Sequence, residues 1–138
     1  MGPLDVEGIW WTRRGNAQVE ITRTAEGSIR GDIIWTDTAG ALAEDGMVGA
    51  SALDPVDRLG KTLFENYDTR NNGWVNGSIY DLVNDRAYRS NIRLIDEDTL
   101  AVEGCRGIFC RTQRWKRVEN DEVMRLKLVD QEVPEAGN

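Results

Sequence analysis

Residues 104–118, GCRGIFCRTQRWKRV, place two cysteines on either side of a short turn and then continue with alternating side-chain character. Side chains in a strand point alternately to the two faces of its sheet. One face would carry two aromatic side chains with a glutamine and two arginines: Phe109, Arg111, Gln113, Trp115 and Arg117. The other would be mostly charged or polar: Cys110, Thr112, Arg114, Lys116 and Val118. This pattern predicts a β-strand.

Similar alternation recurs along the chain, with turn residues about every ten positions. It predicts seven further strands, over residues 8–14, 17–24, 28–37, 61–68, 74–82, 86–95 and 99–104. Short sequential strands with almost no helix signal indicate an all-β, up-and-down antiparallel sheet. Because closure removes the exposed edges of such a sheet, we expect an eight-stranded barrel, with an open two-sheet sandwich as the alternative. A barrel of this size is packed solid or holds one small ligand.

The 138 residues predict a single barrel domain over residues 1–118, followed by a tail. The connection between the third and fourth strands, Thr38 to Gly60, is rich in Ala, Gly and Asp. It is long for a compact domain, which indicates a surface loop or a lid. The tail, residues 119–138, contains one apolar segment, VMRLKLV (123–129), that predicts an extra strand or a cover over Ile9 and Trp11. The rest of the tail is expected to be disordered.

Composition argues against several functions. The 17 basic and 24 acidic residues give a net charge of -7, which disfavours nucleic-acid binding, although residues 86–118 hold eight basic and four acidic side chains. There is no histidine and there are two cysteines, so no structural zinc site is expected. A carboxylate calcium site or a carboxylate enzyme stays open on composition alone. Without a recognisable catalytic or phosphate-binding motif, we expect no enzyme, no catalytic or metal-binding residue and no cofactor.

Two short patterns resemble the arrangement that closes calycin barrels such as lipocalins, avidins and fatty-acid-binding proteins. Gly8 and Trp10 open the first strand, and Trp115 and Arg117 end the last one. In those families an arginine lies over the tryptophan where the first and last strands meet, which places a cation on an aromatic face. The resemblance implies that Trp10, Trp115 and Arg117 close the barrel.

A more specific resemblance covers most of residues 8–118 and is to the bacterial domain-of-unknown-function family 2147. It rests on GIW (8–10), GDIIW (31–35), GSIYD (77–81), LAVEGC (100–105) and RTQRWKR (111–117). The resemblance implies a lipocalin-like barrel and a setting in the cell envelope. The segment DPVDR (54–58) and the longer tail depart from the family pattern.

Cys105 and Cys110 flank a four-residue turn. Opposed positions across a hairpin lie within disulfide reach, so we expect a disulfide, with two reduced cysteines or a reactive thiol as alternatives. A disulfide and the family resemblance together predict a periplasmic or secreted protein, with the cytoplasm as the alternative. No apolar run approaches the ~20 residues that span a bilayer. The first residues, MGPLD, contain no hydrophobic signal region, so the start is either native or follows a removed leader.

If Trp115 and Phe109 face the barrel interior, then Arg111 and Gln113 do so as well. A buried guanidinium requires an anion, which would be either Glu65 or a ligand carboxylate or phosphate. Further polar groups and apolar walls of the predicted ligand site are Tyr80, Tyr88, Trp35 and Trp74.

The leading functional hypothesis is therefore non-enzymatic binding of a small amphipathic or anionic molecule inside the barrel. The alternative is a solidly packed structural or protein-interaction module that uses the basic last strand or the tail. The sequence leaves the oligomeric state open.

Overall fold

The computed structural model describes residues 2, 4–13, 15, 17–36, 60–81 and 86–123, and these residues form an all-β structure. The strands are β1 Gly8–Trp11, β2 Ala17–Arg23, β3 Ile29–Thr36, β4 Thr62–Glu65, β5 Asp68–Arg70, β6 Gly73–Asp81, β7 Arg86–Asp96, β8 Thr99–Arg106 and β9 Phe109–Arg117. A short 3-10 turn, Asn120–Glu122, follows β9. Within the described ranges, no helix has the length and apolar character needed to cross a bilayer.

The strands pair in chain order and close on themselves. β1 to β4 form an antiparallel series, β4 pairs with β6, and β6 to β9 continue the series. β9 then pairs with β1 through Trp10–Arg117 and Trp11–Lys116. Eight strands thus form a closed up-and-down barrel, and the short β5 lies beside β6 as a continuation of β4. The predicted eight-stranded antiparallel barrel is confirmed, and the open sandwich is not what the chain forms.

Two asparagines break the predicted alternation. The predicted strand over residues 61–68 ends early, at Glu65, because Asn66 has a positive φ of 68°, and a separate strand, β5, begins at Asp68. Asn76 has a φ of 58°, at a bulge where β6 has one more residue than the facing part of β7. Asparagine adopts this left-handed conformation more readily than most residues do. Because a bulge shifts the alternation by one residue, Gly77 and Ile79 face the interior and their neighbours face outward.

A second bulge lies in β3. Trp35 pairs with Gln18, whereas Ile33 pairs with Val19, so β3 contains one residue more than β2 between these pairs. Val19 and Ile33 belong to the core. Trp35 is consequently turned to the outer face, where its ring meets that of Trp11 edge-on at a centroid distance of 6.1 Å.

Large side chains occupy the barrel interior. The Phe64 ring lies over Gly31, and the Tyr67 ring lies over Gly77, so that a Cβ atom at either glycine would collide with the ring. Glycine at these two strand positions makes room for an aromatic ring within the barrel. The buried cluster includes Trp10, Val19, Ile21, Ile29, Ile33, Phe64, Tyr67, Trp74, Ile79, Ile92, Leu100, Val102 and Trp115.

The N-terminal segment seals one end of the barrel, which we call the closed end. The indole of Trp10 donates a hydrogen bond to the Val6 carbonyl at 2.9 Å. The indole of Trp74 donates to the Leu4 carbonyl at 3.1 Å. The opposite end carries the β8–β9 turn, and we call it the distal end.

The described part of the tail covers the outer face of β1 and β2. The Gln18 amide donates to the Glu122 carbonyl at 2.8 Å, and the Trp11 indole donates to the Glu122 carboxylate at 3.3 Å. Glu122 thus lies against Trp11 and Gln18 on this face. Residues 124–138, with most of the predicted extra strand, lie outside the described residues, as do residues 38–59 of the predicted loop.

Candidate functional site

The seam between the first and last strands is built around Trp10 and Arg117. The guanidinium carbon of Arg117 lies 4.3 Å from the centroid of the Trp10 ring. Its Nε donates to the Glu97 carbonyl at 2.7 Å, and its Nη1 donates to the Glu7 carbonyl at 3.0 Å. A Cβ atom at Gly8 would collide with this guanidinium. The geometry combines a cation on an aromatic face with two charge-assisted hydrogen bonds at the closed end.

Gln113 and Trp115 point into the barrel from β9. Both are buried, and the Trp115 indole donates to the Gln113 amide oxygen at 3.1 Å. The Phe64 ring lies 6.1 Å from the Trp115 ring. Nearby, the Tyr67 hydroxyl donates to Ser90 Oγ at 2.7 Å, and burial raises the pKa of Tyr67 above its usual value. These interior polar groups therefore bond to one another.

Arg111 lies near the distal end of β9 and is exposed. It pairs with Gly104 across the hairpin, and Phe109 on the same face is 78% exposed. The prediction that Arg111 is buried inside the barrel is therefore wrong, because the hairpin extends beyond the packed core. Glu65, the predicted internal anion, instead accepts a hydrogen bond from Tyr80 at 2.7 Å.

The other predicted ligand-binding side chains do not converge. Tyr80 faces outward, and burial together with the Glu65 carboxylate raises its pKa to about 12. Trp35 also lies on the outer face, so the predicted inward direction of both is wrong, because each follows a bulge. Trp74 lies at the closed end. Tyr88 is half-buried and faces inward near the distal end.

Cys105 and Cys110 form a disulfide that links β8 to β9. They occupy opposite positions in the ladder, with their Cα atoms 4.0 Å apart. The predicted disulfide is confirmed, and neither cysteine is a free thiol.

β7 and β8 separate at the distal end. Their pairing ends at Arg89–Cys105, after which β7 is paired only with β6 and β8 turns into β9. The separation leaves an open cleft of about 570 Å³, lined by residues 86–89 and 105–107. We call it the distal cleft.

Three arginines, Arg86, Arg89 and Arg106, line the distal cleft. All three are exposed, and none forms an ion pair or side-chain hydrogen bond within the described part of the chain. Asp81 faces Arg86 in the ladder, but it takes part in another interaction. Guanidinium groups suit a carboxylate or phosphate group, so three arginines lining one cleft favour an anion there.

The sequence analysis predicts none of Arg86, Arg89 and Arg106 as a site residue. Arg86 and Arg106 lie at strand ends beside turns, where alternation carries little information about neighbouring strands. The available signal was the excess of basic residues over 86–118, eight against four acidic. Three of these basic residues line one cleft only because β7 and β8 separate at the distal end.

One group of potential metal ligands lies beside the distal cleft. Atoms of Glu103, Cys105 and Cys110 lie within 4.8 Å of one another. Both sulfur atoms are used in the disulfide, and the Glu103 carboxylate accepts a hydrogen bond from the Asn91 amide at 2.6 Å. With the disulfide formed, the group offers a metal one carboxylate and no thiolate, which is a poor ligand set.

The barrel coincides with a known protein family. Residues 8–117, from the start of β1 to the end of β9, match the family model described as an uncharacterized protein conserved in bacteria (DUF2147). No curated protein and no solved structure matches the chain. The resemblance found in the sequence is therefore confirmed, and the chain belongs to the DUF2147 family of bacterial proteins.

Proposed function

We propose that this protein is a non-enzymatic binding protein for a small anionic or amphipathic molecule, and that the distal cleft holds the anionic group. The observation that carries the proposal is that Arg86, Arg89 and Arg106 line one open cleft together with Tyr88. Guanidinium groups bind carboxylates and phosphates through paired, charge-assisted hydrogen bonds. The Tyr88 ring supplies an aromatic surface for an apolar part of the same molecule. The proposed binding requires no cofactor.

The distal cleft is a better site than the barrel interior. Phe64, Trp74 and Trp115 occupy the interior, and the Gln113 amide already accepts a hydrogen bond there. A ligand in that position would displace packed side chains, which costs stability. In this proposal the barrel is a lipocalin-like scaffold that holds β7 and β8 apart at their distal ends.

We place the protein in an oxidising compartment, either the periplasm or the exterior of the cell. The support is the Cys105–Cys110 disulfide, because such bonds persist in these compartments and are rare in the cytosol.

Isothermal titration calorimetry with octyl phosphate tests the proposed site. The double variant Arg89→Gln/Arg106→Gln should raise the Kd about tenfold or more, because each lost charge-assisted contact is worth about 1 kcal/mol or more. The matched control is Arg93→Gln/Arg114→Gln, which removes the same charge from exposed positions on β7 and β9 outside the cleft. The control should leave the Kd within about twofold of the wild-type value. Equal weakening by both variants would show that only net charge matters and would overturn the assignment.

The alternative function is a packed protein-interaction module. It is favoured by the same filled interior, and its partner surface would be the outer face of β9 around Arg114 and Lys116, or the tail. The calorimetric experiment separates the two functions: absence of octyl phosphate binding by the wild-type protein would favour the interaction module.

A further inference from the structure

We propose that the β8–β9 turn is a membrane-contact element that inserts Ile108 and Phe109 into the interface of a bilayer containing anionic lipid. Arg106 and Arg111, on either side, would contact the lipid headgroups. This inference goes beyond the proposed function. It depends on Ile108 and Phe109, the apolar tip of the hairpin, which do not line the distal cleft.

The tip of the hairpin exposes two neighbouring large apolar side chains. Ile108 is 88% exposed and Phe109 is 78% exposed. The other large apolar side chains that are exposed in the described chain, Ile95 and Val123, are only 36% and 37% exposed. Leaving an aliphatic and an aromatic side chain side by side in water forgoes the free energy of burying them, which a contact surface would recover.

The hairpin is held in a projecting position. β9 pairs with β1 only through Trp10–Arg117 and Trp11–Lys116, so its residues 109–115 extend past the described end of β1. The Cys105–Cys110 disulfide lies directly behind the tip, and Gly107 has the positive φ of 63° that a two-residue turn uses. The apolar pair is therefore presented on a rigid support, so little ordering is required when it inserts.

Charge around the tip favours an anionic surface. Arg106 and Arg111 flank the apolar pair, and Arg86 and Arg89 line the adjoining distal cleft. None of the four forms an ion pair within the described residues. Two carboxylates on neighbouring strands, Asp81 and Glu103, are engaged in other interactions.

Two acidic turns of the described chain lie away from the tip. Residues 96–98 form an acidic turn at the closed end. In the acidic 3-10 turn Asn120–Glu122, the Glu122 carboxylate accepts a hydrogen bond from Trp11, which lies opposite Lys116 and not beside the projecting part of β9. A protein with a net charge of -7 is repelled by an anionic surface in most orientations. Binding therefore requires the distal end to face the membrane, where each arginine near the surface adds attraction.

Vesicle flotation at low ionic strength tests the proposal. The full chain should float with vesicles of phosphatidylcholine and phosphatidylglycerol and should remain unbound with pure phosphatidylcholine. The double variant Ile108→Ser/Phe109→Ser should reduce the partition coefficient about tenfold or more, because it removes the apolar area that inserts. The control Ile95→Ser, in an exposed residue beside the closed-end turn, should bind like the wild type. Thermal unfolding confirms that each variant is folded.

Depth of insertion provides a second measurement. Brominated lipids should quench the fluorescence of a Phe109→Trp variant more strongly than that of an Ile95→Trp variant, after subtraction of the wild-type signal. Wild-type protein that does not float, a double variant that floats as well as the wild type, or equal binding to neutral vesicles would each overturn the proposal. A wild-type dimer in sedimentation that the double variant converts to a monomer would do so as well, because the tip would then be a subunit interface.

Discussion

At the scale of single residues, Arg117 makes three contacts that depend on its guanidinium group. It joins the Trp10 ring to two backbone carbonyls from different segments. Arg117→Ala should lower the free energy of unfolding by about 2 kcal/mol, through loss of the cation–aromatic contact and the hydrogen bonds. The matched control, Arg114→Ala, alters an exposed side chain on the same strand and should change the free energy of unfolding by less than about 0.5 kcal/mol. Urea unfolding measures both values, and similar losses would contradict the role given to the seam.

Tyr67 should make stability sensitive to alkaline pH. Burial raises its pKa above the usual value of 10.0, so the folded protein retains a proton that the unfolded chain releases. Stability from this residue is complete below about pH 10 and falls as the pH rises further. In urea unfolding, Tyr67→Phe should therefore lose less stability than the wild type between neutral pH and about pH 11. An unchanged pH dependence would show that the hydroxyl is not the responsible group.

At the scale of elements, aromatic rings that pack directly on glycines of neighbouring strands stabilise the barrel core. Gly31→Ala would force a Cβ atom against the Phe64 ring and should cost about 1–3 kcal/mol. Gly104→Ala is the matched control in a neighbouring part of the sheet, because its Cβ atom would lie 3.6 Å from Ile79, which is an ordinary contact. In thermal unfolding, the Tm of Gly104→Ala should be close to that of the wild type, and the Tm of Gly31→Ala should be clearly lower. A larger loss for Gly104→Ala would contradict this packing.

The disulfide should stabilise the β8–β9 hairpin without being needed for the barrel. The two cysteines are separated by five positions, and closing such a short loop stabilises by about 2 kcal/mol. The β8–β9 pairing continues from the disulfide toward the closed end, from Gly104–Arg111 to Thr99–Lys116. Reduction should therefore lower the Tm while the β-sheet circular dichroism at room temperature is retained. Loss of that signal on reduction would show that the barrel depends on the bond.

At the scale of the whole molecule, alternation predicted the barrel and its strand order but not the depth or direction of each side chain. Arg111 is on the same side of β9 as Gln113, as predicted. It is nevertheless exposed, because the distal part of β9 extends beyond the packed core. Trp35 and Tyr80 were placed on the wrong face because alternation cannot reveal a bulge. The distal cleft was not predictable either, since it depends on where the β7–β8 pairing stops.

The central claim is that the barrel is a filled scaffold and that an anionic group binds at its distal end. The most direct test is amide chemical-shift mapping of the ¹⁵N-labelled protein during titration with octyl phosphate. The account predicts shifts that saturate and concentrate at residues 86–89 and 105–107, with Ile92 and Val102 in the core unchanged. Shifts centred on Ile92, Val102 and Trp115 would place the ligand inside the barrel and contradict the account.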